Sequence, residues 1–94
     1  PIRLNPETRE VFVEQQPVNL TPNEFGLLEV MMKRPGRVYS RDELLNMVQG
    51  YDYAGYDRTI DTHIKNLRKK LQTFGLEAAI NSVYGVGYRF QIPN

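Results

Sequence analysis

An α+β fold is what this chain predicts, and three observations carry the prediction. β-rich runs sit at both ends, two capping boxes open helical stretches in the middle, and the run from Arg58 to Leu71 separates an aliphatic stripe from a basic face at helical spacing. The 94 residues suffice for one domain with a single modest core. Cysteine is absent, so there is no disulfide framework and no thiol chemistry, and a reducing compartment is permitted. No stretch approaches the roughly 18 continuous apolar residues of a membrane span, and no signal peptide is visible. The sequence starts at Pro1 without an initiator Met, which is expected of a domain belonging to something longer.

Ile2 to Leu4, Glu10 to Val13 and Pro17 to Leu20 are short, partly alternating runs. The turn-like segments Asn5-Pro6-Glu7-Thr8 and Glu14-Gln15-Gln16 separate them, which predicts a small antiparallel sheet over residues 1–20. A helical core is expected over 21–76. In Thr21-Pro22-Asn23-Glu24 an N-cap, a proline at the first helical position and a reciprocating glutamate open a helix running to about Arg34. Its Phe25, Leu28, Met31 and Met32 should face the core, and Pro35-Gly36 should stop it. A short strand over Arg37 to Tyr39 is expected next. Ser40-Arg41-Asp42-Glu43 repeats the capping pattern before a second helix with apolar Leu44, Leu45, Met47 and Val48, ended by Gly50. Asp57 is the expected cap of the third helix. Finally Ile80 to Tyr84 and Tyr88 to Ile92 flank Gly85-Val86-Gly87, which predicts a hairpin over 80–92.

The third helix carries the functional signal. At about 100° per residue, Ile60, Ile64, Leu67 and Leu71 share one side, and Arg58, Thr62, Lys65, Asn66 and Lys69 share the other. Arg58, Lys65, Arg68, Lys69 and Lys70 against Asp61 give this segment +4 in a chain of net charge +1, so the basicity is local. Lys and Arg neutralise phosphates, while Asn and Thr hydrogen-bond base edges; together they suit a helix lying in a DNA major groove. The plain alternative is a solvated face. A membrane-surface helix would carry aromatic anchors on its apolar side, and this stripe is aliphatic. Strands, three helices and a terminal hairpin, in that order, make the winged helix-turn-helix arrangement.

Four motifs in sequence then carry a family resemblance: Leu20-Thr21-Pro22-x-Glu24-Phe25-x-Leu27-Leu28, Pro35-Gly36-x-Val38-x-Ser40-Arg41-x-x-Leu44-Leu45, Asp57-Arg58-Thr59-Ile60-Asp61-x-His63-Ile64-x-x-Leu67-Arg68-Lys69-Lys70-Leu71, and Val83-Tyr84-Gly85-Val86-Gly87-Tyr88-Arg89-Phe90. The chain resembles the OmpR/PhoB family of response-regulator DNA-binding domains over nearly its whole length, with BaeR-like members most similar in the third helix and wing. The resemblance implies the C-terminal effector domain of a two-component transcription factor in the cytoplasm, without cofactor. It implies that the receiver domain lies outside this chain, as does the sensor kinase that phosphorylates it. It further implies a tandem dimer on a direct-repeat operator and contact with RNA polymerase through Gln49, Gly50, Tyr51, Asp52, Tyr53, Ala54, Gly55 and Tyr56.

The family's major-groove positions fall on Arg58, Thr62, Lys65, Asn66 and Lys69, the same residues the wheel turns outward. Asn66 is the expected base reader, since asparagine pairs bidentately with adenine, and Thr62 suits a thymine methyl or a base edge. Arg58, Lys65, Arg68 and Lys69 are the expected phosphate clamps. Thr59, Arg41 and Ser82 are weaker candidates at the helix entrance, the second helix and the wing. This chain has Gln49 where many relatives have tryptophan. It also has Tyr84 where many have an arginine approaching the minor groove; a tyrosine there can donate a hydrogen bond or stack but supplies no charge to a narrow groove.

Competing functions find little support. His63 is the only histidine, set beside the apolar stripe, and lacks the companions a metal or catalytic site requires. It reads as a core-edge residue. Gly85-Val86-Gly87 joins two strands, whereas phosphate cradles lead from strand into helix. The carboxylates sit at caps and turns. A winged-helix protein-interaction module without a DNA target is the main alternative, and it would place aromatic or aliphatic anchors on the outward face. RNA binding would favour exposed stacking aromatics, which Tyr51, Tyr53 and Tyr56 keep open.

Overall fold

The computed structural model describes residues 2–48 and 58–91, and of Arg58 and Thr59 only the backbone. The expected cap Asp57, the stop at Gly50, the segment Gln49 to Tyr56 and the strand end at Ile92 lie outside the described residues.

Strands β1 (Ile2–Asn5), β2 (Glu10–Val13) and β3 (Gln16–Pro17) form an antiparallel sheet in the order β1-β2-β3. The first turn is held by Asn5, whose Oδ1 accepts from the Glu7 and Thr8 amides while its carbonyl accepts from the Arg9 amide. In the second, Glu14 and Gln15 both take positive φ, 50° and 71°, the twist that a two-residue hairpin loop requires. Val11 and Val13 are buried while Glu10 is exposed and Phe12 half-buried, so period-two alternation aims one face at the core. The third strand is shorter than the expected Pro17 to Leu20. Pro17 has no amide to extend the ladder, only Val18 continues with a bond to the Val11 carbonyl, and the chain then leaves for the first helix.

Helix α1 (Pro22–Lys33) starts from the predicted capping box, Thr21 Oγ1 accepting from the Glu24 amide and Glu24 Oε1 from the Thr21 amide. Phe25, Leu27, Leu28 and Met31 are buried and Met32 packs at the core margin. The expected strand before the second helix is displaced to β4 (Tyr39–Ser40). Helix α2 (Arg41–Val48) follows its own box between Ser40 and Glu43. Leu44 and Val48 are buried, whereas Met47, at the margin of the same apolar stripe, is 52% exposed. Helix α3 (Arg58–Gln72) ends where Gly75, at φ 73°, lets the Leu76 amide bond back to the Leu71 carbonyl.

A 3-10 turn (Glu77–Ala79) leads into β5 (Ile80–Val83) and β6 (Gly87–Phe90), the wing hairpin. Its turn is Tyr84-Gly85-Val86 rather than Gly85-Val86-Gly87, closed by the Val86 amide on the Val83 carbonyl, and Gly87 is already strand. The sheet order is β4-β6-β5, so the short strand before α2 pairs with the wing. Gly87 makes that pairing possible. A Cβ there would lie 1.9 Å from the Tyr39 carbonyl oxygen, which no side chain survives.

Candidate nucleic-acid interface

Helix α3 is built as the wheel predicts. Ile60, Ile64, Leu67 and Leu71 are each at most 1% exposed, within a core shared with α1, α2 and both sheets. At about 1.5–3 kcal/mol per fully buried side chain, this stripe alone fixes which face the helix turns outward. Thr62, Lys65, Asn66 and Lys69 are all exposed there, and the described residues offer neither lysine an ion-pair partner. The side chains of Arg58 and Thr59, predicted for the same face, are outside the description.

Two other basic residues of the helix are committed to the fold. Lys70 Nζ lies 2.6 Å from Oε1 of Glu24, a carboxylate only 2% exposed. The glutamate that caps α1 thus also ties α3 to it, and Lys70 leaves the outward charge that the sequence assigned to this segment. Arg68 donates from Nε to the Ile80 carbonyl at 3.0 Å and from a terminal nitrogen to Ser82 Oγ at 2.6 Å. Arg68 and Ser82, predicted as separate DNA contacts, meet each other and join α3 to β5.

Arg41, at the start of α2, pairs through Nε with Asp61 Oδ1 at 2.7 Å, and the Tyr88 hydroxyl of β6 donates to the same oxygen. The guanidinium carbons of Arg41 and Arg68 both stand 5.5 Å from the centre of the Tyr88 ring. The electrostatics follow. The Tyr88 hydrogen bond, aided by Arg41 and opposed by partial burial, holds the Asp61 carboxyl below its ordinary pKa. Burial first, then the bond to Asp61, raises the Tyr88 phenol. The bond to Asp61 also raises the Arg41 guanidinium above its ordinary pKa. Sequence reasoning missed Asp61 and Tyr88; the available signal was that Asp61 is the single acid in a basic helix.

Tyr84 and Val86 project from the wing tip, and the Tyr84 side chain is fully in solvent. His63 is half-buried, its Nε2 3.3 Å from Asn23 Nδ2, as a core-edge histidine should be. Among the described residues no group of histidines, cysteines or carboxylates could hold a metal, and no helix is long and apolar enough to cross a membrane.

Residues 15–90 match the family described as "Transcriptional regulatory protein, C terminal". The chain belongs to this family. Among its relatives are the transcriptional regulatory proteins YclJ of Bacillus subtilis, 48% identical over 93% of this chain, and SrrA of Staphylococcus aureus, 42% identical over 99%. The chain spans only 38% and 39% of the lengths of these two curated relatives. In three dimensions it is similar to the DNA-binding domain of the response regulator AdeR, solved in complex with an intercistronic region. The TM-score is 0.88 at 34% identity, over 98% of this chain and 95% of that one. The winged-helix fold of the response-regulator effector domains is therefore that of this family member as well.

Proposed function

We propose that this domain binds double-stranded DNA sequence-specifically through the outward face of α3, as the effector part of a two-component response regulator controlling transcription. The observation that carries the reading is the division of α3: a back at most 1% exposed, and a front of Thr62, Lys65, Asn66 and Lys69 in solvent. Such a front supplies hydrogen-bonding groups for bases beside cations for phosphates, with none of the apolar anchors a protein-docking helix uses. The DNA complex of the AdeR domain supports the same reading.

In this reading Asn66 and Thr62 face bases, and Arg58, Lys65 and Lys69 face phosphates. Arg41 meets the backbone at the start of α2, and Tyr84 rides at the wing tip, with Thr59 at the helix entrance. Residues 1–20 form the sheet that packs on a receiver domain or a neighbouring copy, 21–76 the helical core and 80–92 the wing. In the cytoplasm, a sensor kinase phosphorylates the receiver, two copies sit in tandem on direct repeats, and Gln49 to Tyr56 contacts RNA polymerase. The test is a salt titration of binding to a labelled duplex carrying the site and to one of unrelated sequence. With about four phosphates neutralised, log K should fall against log salt with a slope near −3 to −4, and a flat response overturns the proposal.

A further inference from the structure

Asp61 stands on a surface that the proposed function turns toward phosphates. It is one helical turn before Lys65, it is the only acid of α3, and its side chain is 47% exposed. On DNA that charge repels the backbone, so its contacts say what it contributes. One oxygen, Oδ1, accepts from Arg41 at the start of α2 and from Tyr88 on β6. Arg41 and Arg68 flank the Tyr88 ring, and Arg68 continues to Ile80 and Ser82 on β5. The start of α2, the first turn of α3 and β6 therefore close on a single carboxylate, and β5 joins them through Arg68.

We infer that Asp61 is a positioning residue for sequence discrimination, fixing the wing and Arg41 relative to α3 so that phosphate contacts form in the register in which Thr62 and Asn66 meet their bases. The inference rests on the DNA-binding reading above. Asp61 engages Arg41 by the Nε edge, and a guanidinium held at one edge still has terminal N–H donors for a phosphate. Arg41 is thus presented at one place instead of sweeping the surface. The carboxylate also opposes backbones approaching in other registers, which lowers affinity for wrong sequences more than for the right one.

The experiment compares wild type, Asp61→Asn and Tyr88→Phe on two probes: a duplex enriched from a random pool by the wild-type chain, and a scrambled duplex of the same composition. Asp61→Asn removes the repelling charge and weakens the hold on Arg41, leaving it a neutral amide acceptor in place of an ion pair. It should tighten scrambled-duplex binding with a salt slope steeper by about 0.9, and lower the ratio of the two affinities about tenfold. Tyr88→Phe keeps every charge and the ring, removing only the hydroxyl. It should lower the ratio without the gain on the scrambled duplex. Thermal melts show whether each variant is folded; should Asp61→Asn not fold, Tyr88→Phe decides alone. Unchanged ratios in the folded variants, beside a wild type that does discriminate, overturn the inference and leave the DNA-binding reading standing. A wild type that does not distinguish the two duplexes overturns both.

Discussion

Replacing Lys70 by methionine separates two roles that a basic residue on a recognition helix can have. Its ammonium lies 2.6 Å from Glu24 Oε1, and Glu24 is 2% exposed while the Lys70 side chain is 36% exposed. Lys70→Met keeps most of the stem volume but leaves a buried carboxylate whose remaining partner at Oε1 is the Thr21 amide. Breaking a buried pair from one side costs about 3–5 kcal/mol when both ions are enclosed. Water reaches the Lys70 end, and the capping bond survives, so the expected loss is about 2–3 kcal/mol. In a domain of this size that lowers the melting temperature by about 10–20 °C. Urea denaturation with an unchanged m-value measures it, and Glu24→Gln with Lys70→Met should recover part of the loss by removing the orphaned charge. DNA binding by the folded Lys70→Met variant should keep its salt slope, whereas Lys69→Met should reduce that slope by about one. A stability loss under about 1 kcal/mol, or equal slope changes for the two lysines, refutes the reasoning that Lys70 belongs to the fold.

On the outward face, Asn66→Ala should cost about 1–3 kcal/mol on the correct site and relax preference at one or two base pairs, while Lys69→Ala weakens all sequences alike; equal, uniform losses would show that Asn66 does not read bases. Gly87→Ala drives a Cβ to within 1.9 Å of the Tyr39 carbonyl oxygen and 2.9 Å of Ser40 Cα, both backbone, so β4 must separate from the wing. The expected destabilisation is about 3 kcal/mol or more, and a chemical denaturation curve matching wild type would exclude that close approach. Because the folded-state pKa of Asp61 is depressed, the unfolded chain binds its proton first as pH falls. Its contribution is present above about pH 4 and disappears below it, through the lower folded value. With nearly half the carboxylate exposed, the contribution is under about 1 kcal/mol. Asp61→Asn should therefore show a shallower loss of stability with acid than wild type, and parallel pH profiles would refute the pairing.

Much of this protein is legible in its sequence because the signals are local. Capping boxes at Thr21 and Ser40, the i, i+3, i+4 recurrence of Ile60, Ile64, Leu67 and Leu71, and glycines near the helix ends and the wing turn act through neighbours within one helical turn or one hairpin. Those rules predict three helices, a wing and the face α3 turns outward, and they order the elements as a winged helix. Motifs spread along the whole chain identify its family for the same reason, since each one is a short local requirement.

Tertiary structure decided which charges remain available. Lys70 and Arg68 both count toward the charge of α3 in one dimension, yet Glu24 from 46 residues away takes Lys70, and Ile80 and Ser82 of β5 fix where Arg68 stands. It also decided that the strand before α2 completes the wing sheet, that Met47 faces solvent, and that Tyr88 and Arg41 meet on Asp61. None of these follows from periodicity, because a side chain's partner across the fold depends on how helices and sheet dock. Docking is set by the shape of the whole core, including residues such as Gly87 whose role is to let two backbones touch.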